Sequence, residues 1–175
     1  NTCYMFNHRP NSLNAGSLWG RPFYILREAW NILNAIAEGK IESGDEKKLN
    51  ALKGETMAVI ALCQFDLTRC FGYPYTKDKG ASLGAPLIDH LVGTYENPPR
   101  STVAQAYDFI IETLEEAVTL MSEEKNNGRM NKYAARALLA RIYLYHDDNR
   151  KAFDLADQLI KDADTSGSYA LYPHE

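Results

Sequence analysis

Apolar residues recur along this chain at spacings of three and four in five stretches, separated by polar or glycine- and proline-rich connections. From Pro22, a residue suited to a first helical position, Leu26, Trp30, Leu33 and Ala37 make one stripe that Gly39 brings to a stop. Residues 1–20 mix asparagine, glycine and serine with isolated aromatics and show no period, which predicts an irregular lead-in. Ser43 and Glu46 have the spacing of a capping box, so a long second helix is expected to run to about Phe71. Its stripe of Leu49, Leu52, Thr56, Val59, Cys63, Leu67 and Cys70 is joined by Ala58, Ala61, Leu62 and Phe65 on another side. The second half of that helix is therefore expected to be buried on two sides. Gly54 lies inside it, where glycine costs about 1 kcal/mol relative to alanine, so a frayed or kinked first turn is expected. Gly72 has the place of a left-handed stop.

Residues 72–100 carry no sustained period and read as one long irregular loop between helices two and three, rich in glycine, proline and tyrosine. Loops of that length inside a domain are usually functional or disordered. Thr102 with Gln105 makes a second capping box, followed by Tyr107, Ile110, Ile111, Leu114, Ala117, Val118 and Met121 at helical spacing. Asn131 can cap a fourth helix, Lys132 to His146, and Asp148 or Asn149 a fifth, with its stripe at Ala152, Leu155, Ala156, Leu159 and Ile160.

The fourth helix, within "AARALLARIYLYHDDNRKAF", places Ala134, Leu138, Ile142 and Tyr145 on one stripe and Ala135, Leu139 and Tyr143 on its neighbour. So wide an apolar face predicts a helix lying between two others, as in stacked helix pairs. The tetratricopeptide pattern fits in part. Leu139, Ala140 and Tyr143 fall on its leucine, glycine and tyrosine positions and Ala152 on its alanine, whereas Arg136 stands where tryptophan is usual. The expected fold is all-α, with tetratricopeptide-like antiparallel helix pairs building an α-α superhelix.

Composition narrows the function. At 175 residues the chain suits one domain and needs no metal or disulfide to hold a core. A net charge of -4 removes the electrostatic attraction that starts nucleic-acid binding. The longest apolar run, near Met57 to Cys63, falls far short of the ~20 residues of a membrane-spanning helix. Cys63 and Cys70, roughly 10 Å apart on one helix, are beyond disulfide reach and read as small core hydrophobes; Cys3 is the third cysteine. The ends, Asn1 without an initiator methionine and "YALYPHE", read as those of a piece excised from a longer chain.

Several separate motifs resemble the SusD/RagB family of nutrient-binding outer-membrane lipoproteins of gut Bacteroidetes. "GETMAVIALCQFDLTRCFGYPYT" is similar to the family's long helix with its aromatic-Asp-Leu-x-Arg-x-Phe-Gly turn, and "LGAPL" to the Gly-x-Pro segment after it. "PPRSTVAQAYDFIIETLEEAVTL" resembles the Arg-Ser/Thr-x-Val helix, and "NKYAARALLARIYLYHDDNRKAFDLADQLI" with "SYALYP" the family's best-kept repeat and its tail. The resemblance spans about Trp19 to Pro173. It implies that residues 1–175 form a single N-terminal helical-repeat domain. It also implies a carbohydrate-binding, starch-utilization type of role with a TonB-dependent SusC-like transporter as partner. The full-length protein would be a surface-exposed lipoprotein, held to the membrane only through a lipid anchor absent from this chain.

Catalytic constellations are not evident. His8, His90, His146 and His174 are scattered without a serine or cysteine in any triad motif, and Glu112, Glu115 and Glu116 sit away from the apolar stripe of their helix. No zinc-ligand spacing and no phosphate-loop ending occurs, so neither enzyme activity nor a cofactor is expected. What remains is a set of rings in irregular segments: Tyr4, Phe6, Trp19, Tyr73, Tyr75 and Tyr95. Such rings can stack on sugar faces, and they can equally pin their loops to the helices. Trp19, Tyr73 and Tyr75, with Arg21 as hydrogen-bond donor, are the expected ligand contacts. The expected function is non-enzymatic binding of glycan or other oligomeric nutrient. The alternative is a tetratricopeptide adaptor gripping peptide or protein partners.

Overall fold

The computed structural model describes residues 13–41, 43–126 and 128–170. Five helices account for most of them: α1 (Leu13–Ala37), α2 (Glu46–Phe71), α3 (Val103–Leu120), α4 (Lys132–Tyr145) and α5 (Asn149–Ser166). Each packs on its sequence neighbour, and α2 is the central element, with α1 on one side and α3 on the other. Two apolar clusters result. Ala58, Ala61 and Phe65 of α2 meet Ala106, Tyr107, Ile110 and Leu114 of α3 and Leu139 and Ile142 of α4. Ile60, Cys63 and Leu67, on another side of α2, meet Leu26 and Ala29 of α1 and Ala85 and Ile88 of the long connection. The two-sided burial expected of α2 is thus explained by one helix serving two cores. The all-α, tetratricopeptide-like reading of the fold holds.

Local capping chemistry is legible at three of the helix starts. Thr102 Oγ1 accepts from Gln105 N at 3.1 Å while Gln105 Oε1 accepts from Thr102 N at 2.9 Å, closing the reciprocal box. Asn131 accepts from Ala134 N and Asp148 from Lys151 N. Removing the Thr102 hydroxyl in Thr102→Ala leaves the N3 amide without its acceptor. A stability loss of about 1 kcal/mol is expected in urea denaturation, with Thr102→Ser restoring most of it.

The structure corrects other local readings. α1 begins at Leu13, so residues 13–20 are helical rather than irregular and Pro22 lies inside the helix. Proline deprives the Leu18 carbonyl of its partner there. The turn before it is nevertheless anchored, because Trp19 packs edge-on against Phe23 at 5.0 Å and Phe71 at 4.7 Å. At α2 the cap is Asp45, whose Oδ1 accepts from Lys47 N and Lys48 N; Ser43 instead braces Asp45, accepting from its N–H and donating to its carbonyl. A carboxylate at a helix N-terminus also gains from the macrodipole, which a hydroxyl does not. Gly72 is extended, at φ −111, not left-handed. Its glycine is needed for space: a Cβ there would lie 2.7 Å from the Thr68 carbonyl oxygen and 2.9 Å from Val103 Cγ2.

The stretch 72–100 also contains structure. Tyr75–Lys77 makes a single 3-10 turn, and β1 (Leu83–Pro86) pairs antiparallel with β2 (Arg100–Thr102), with Leu83 opposite Thr102 and Pro86 opposite Arg100. Strands of four and three residues are too short to show a period. Arg100 ties them further, its Nε donating to Gly84 O at 2.7 Å and its Nη2 to Leu83 O at 2.9 Å.

α4 lies between α3 and α5, bound to one by Tyr143 Oη donating to Glu115 and to the other by Arg136 donating to Asp162 at 2.7 Å. Leu139, Tyr143 and Ala152 are all buried. The expectation that α4 is hidden on both stripes is nonetheless too broad. Ile142 is fully buried and Leu138 partly so, but Ala134, Ala137, Leu144 and Tyr145 are exposed, because α5 covers only part of its outer side. The reading of two core cysteines also needs correction. Cys63 is buried, its thiol pushed up to about 11 by desolvation and then by the charge of Asp66, while Cys70 is exposed at the end of α2. Cys3 falls outside the described residues, as do Tyr4, Phe6, His8 and His174.

Candidate functional site

Among the described residues, three of the surface clefts have volumes of about 530–570 Å³. One, at the start of α2, contains the ion pairs of Arg129 with Glu55 and Lys48 with Asp45. A second, between α4 and the end of α5, is floored mainly by Ala134, Ala137, Leu159, Ile160 and Ala163. The third lies between α1 and residues 86–98; the second also carries rings and charges, Tyr133 and Tyr169 with Lys161 and Asp164, but the third is the one shaped by the long connection. Phe23, Ile88, Val92 and Pro98 supply its apolar surface; Arg27, His90, Thr94 and Asn97 supply the polar groups. This mixture is the usual make-up of a small-molecule site.

The outer wall of that cleft is irregular backbone held in place by two side chains from the helices. Trp30 Nε1 of α1 donates to Ile88 O at 3.2 Å. Gln64 of α2, fully buried, donates from Nε2 to Pro86 O at 3.1 Å and accepts at Oε1 from Ile88 N at 3.3 Å. A buried backbone segment outside regular structure must find partners for its N–H and C=O groups, and Gln64 supplies one of each. Ile88, between these bonds, is itself buried and plugs the wall into the α1–α2 cluster.

The rim carries three carboxylates and two cationic groups. The Arg27 guanidinium pairs with Glu28 at 2.9 Å and lies over the Tyr24 ring. The His90 imidazole has Asp89 Oδ1 2.6 Å from Nδ1 and Glu96 Oε1 2.7 Å from Nε2. Those two carboxylates, Asp89 first, raise the affinity of His90 for its proton. Glu96 is held below the usual carboxylate range, first by the Gly93 N–H that it accepts and then by His90. With Glu28, Asp89 and Glu96 set against Arg27 and His90, the mouth offers no net positive charge to an anion. Tyr95, between rim residues Thr94 and Glu96, is 95% exposed. An aromatic face so free of protein contact is available for stacking.

The residues expected from the sequence to contact ligand are dispersed differently. Trp19 is 40% exposed but wedged between Phe23 and Phe71. Arg21 is exposed one turn before Tyr24. Tyr73 is exposed, with Lys77 Nζ 3.0 Å from its ring centroid. Tyr75 turns into the other cluster, against Tyr107 at 5.7 Å and His146 at 4.2 Å. Trp19 and Tyr75 therefore belong to different packing groups. Phe23, Arg27, His90 and Asn97 were not singled out, for none lies in a motif and they meet only through folding across more than fifty residues.

Among the described residues no group of three His, Cys, Asp or Glu could hold a metal ion, and no helix is long and apolar enough to cross a membrane. A helix-pair scaffold with an ordered connection shaping a cleft defines the molecule as an all-α helical-repeat domain. The comparisons give that class its family. A family model described as "Starch-binding associating with outer membrane", of SusD-like type, matches residues 4–144. A SusD superfamily protein of Bacteroides thetaiotaomicron is 40% identical over 88% of this chain, with a TM-score of 0.83. A Bacteroides vulgatus protein named for sugar binding is 37% identical over 95%, with a TM-score of 0.86. No curated protein matches. The chain belongs to the SusD-like family, whose description is one of starch binding and outer-membrane association. It spans 33% and 37% of the lengths of those two relatives.

Proposed function

We propose that this chain is the N-terminal helical part of a non-enzymatic surface binding protein that captures a glycan or other oligomeric nutrient. The protein would deliver it to a TonB-dependent, SusC-like transporter in the outer membrane. The observation that carries this reading is the starch-binding, outer-membrane family match over residues 4–144. A laminarin-binding SusD-like protein shares the fold, at 21% identity and a TM-score of 0.67, which adds a glycan to test rather than a ligand assignment. In this reading the α1/86–98 cleft receives one end of the ligand, Tyr95 stacks on a sugar face, and Arg27 and Asn97 donate to hydroxyl groups. Trp19, Arg21 and Tyr73 extend the contact, and Tyr75 anchors the segment that carries Tyr73. The excess of carboxylates at the mouth favours neutral over acidic polymers.

Electrophoresis through gels cast with starch, laminarin or an acidic polysaccharide tests this directly. At least one neutral glycan is expected to retard the full-length protein, and Tyr95→Ala is expected to weaken that retention severalfold, on the order of 1 kcal/mol. Absence of retention in every glycan, together with failure of the full-length protein to copurify with a transporter, would reject the reading.

A further inference from the structure

We propose that His90 is a positioning residue for the α1/86–98 cleft. As a doubly protonated ring bridging Asp89 and Glu96, it latches the outer wall shut at mildly acidic pH and releases it as pH rises. That the cleft receives a ligand rests on the function proposed above; the latch itself rests on geometry alone.

Both ring nitrogens face carboxylate oxygens, Nδ1 at 2.6 Å from Asp89 and Nε2 at 2.7 Å from Glu96. A carboxylate of this kind only accepts, so both nitrogens must carry hydrogen. Neutral imidazole has a single N–H, and losing the second proton sets a nitrogen lone pair against an anionic oxygen at hydrogen-bond distance. The clamp and the imidazolium are therefore one state. Glu96 transmits the change, because its second oxygen accepts from Gly93 N at 3.1 Å while its own N–H donates to Gly93 O at 3.1 Å. One carboxylate thus closes the 93–96 turn and fastens it to His90, and residues 90, 92, 93 and 94 all line the cleft.

The charged groups around His90 divide clearly by origin. Asp89 and Glu96 come from its own segment. From α1, Arg27 lines the same cleft but is paired with Glu28; from α2, the nearest support of the wall is the uncharged Gln64. The two carboxylates raise the ring's proton affinity. A folded-state pKa raised above the unfolded value contributes order fully present below the unfolded value, ordinarily about 6.5 for histidine, and lost as pH rises through the raised value. The latch therefore opens on the alkaline side of that window. This sign is opposite to the behaviour of a wall held by carboxylates alone.

The test is made on the folded protein without ligand, so its failure is distinct from failure to bind glycan. The His90 ring proton is followed by NMR against pH, assigned by its disappearance in His90→Gln, while amide exchange is read across residues 88–97. In the wild type, His90 is expected to titrate above the ordinary value. Protection of the 93–96 turn, corrected for intrinsic exchange, is expected to fall about tenfold for each unit of that elevation. Glu96→Gln should bring the titration down, and His90→Gln should make protection independent of pH. A His90 titration at the ordinary value, a titration unmoved by Glu96→Gln, or the same pH-dependent protection in His90→Gln would each overturn the proposal.

Discussion

Gly54→Val is expected to destabilise the domain by about 3 kcal/mol, the upper range for overpacking a well-filled interior. Gly54 sits in the first half of α2, where the chain pattern alone suggests only a weak point. In the fold it is a point of close backbone approach between α2 and the end of α3. A Cβ on residue 54 would come within 2.8 Å of the Ala117 carbonyl oxygen, 2.8 Å of Met121 Cγ and 3.0 Å of Leu120 Cβ. Met121 can swing its flexible side chain, but the Ala117 carbonyl cannot yield, since it accepts the Met121 N–H at 3.1 Å and belongs to the α3 backbone. On an open helix surface, glycine to alanine gains about 1 kcal/mol from backbone entropy. At Gly54 the contact offsets that gain even for alanine, and valine adds two further methyl groups to the clash. Gly16 in α1, with no atom within 4 Å of an added Cβ, supplies the control: Gly16→Ala is expected to gain up to about 1 kcal/mol. Urea denaturation of the two variants decides it. A Gly54→Val protein as stable as wild type would mean that the two helices are farther apart than their described packing.

The contrast between Gly16 and Gly54 shows where sequence reading succeeds. Periodicity is a property of neighbouring residues, so the stripes of α2 to α5 and the caps at Thr102, Asn131 and Asp148 are legible. Pro22 misled because its local preference for a helix start was outweighed by tertiary anchoring of Trp19. Ser43 misled because Asp45, two residues on, is the better acceptor for the same amides. α4 misled because width of apolar face reports how much surface is suited to burial, not how much its neighbours cover; Ala134, Ala137 and Leu144 remain open. The cleft was the least legible feature. Of its surroundings only Tyr95 stands out in the sequence as a candidate ring, since Phe23 and Arg27 come beside residues 88–98 solely through tertiary folding. One signal could have pointed there: a lone glutamine in "ALCQFDL", in the middle of a helix segment otherwise destined for the core, asks what polar backbone it satisfies.

Gln64→Leu is expected to cost about 2–4 kcal/mol, and its effect on the cleft distinguishes how the cost is met. Leucine fits the volume and suits the apolar environment, so a transfer argument alone would make the change neutral. The loss comes from the groups left behind. Pro86 O and Ile88 N would both lose their partner, and an unsatisfied buried backbone group costs about 1–3 kcal/mol. If the wall stays in place, the whole penalty appears in the unfolding free energy. If the wall lifts so that water reaches both groups, the unfolding penalty shrinks, but the Trp30 bond to Ile88 O and the burial of Ile88 are lost with it. In either case a measurement records the damage: denaturation midpoint in the first, amide exchange of residues 86–88 in the second. Gln64→Glu separates the two bonds, because a carboxylate still accepts from Ile88 N and can donate to Pro86 O only when protonated. That variant is expected to be less stable at neutral pH than at pH 5, the same direction as the His90 latch, so the comparison is made in a His90→Gln background. A Gln64→Leu protein unchanged in both stability and exchange would show that this buried amide does not support the wall on which the proposed binding site depends.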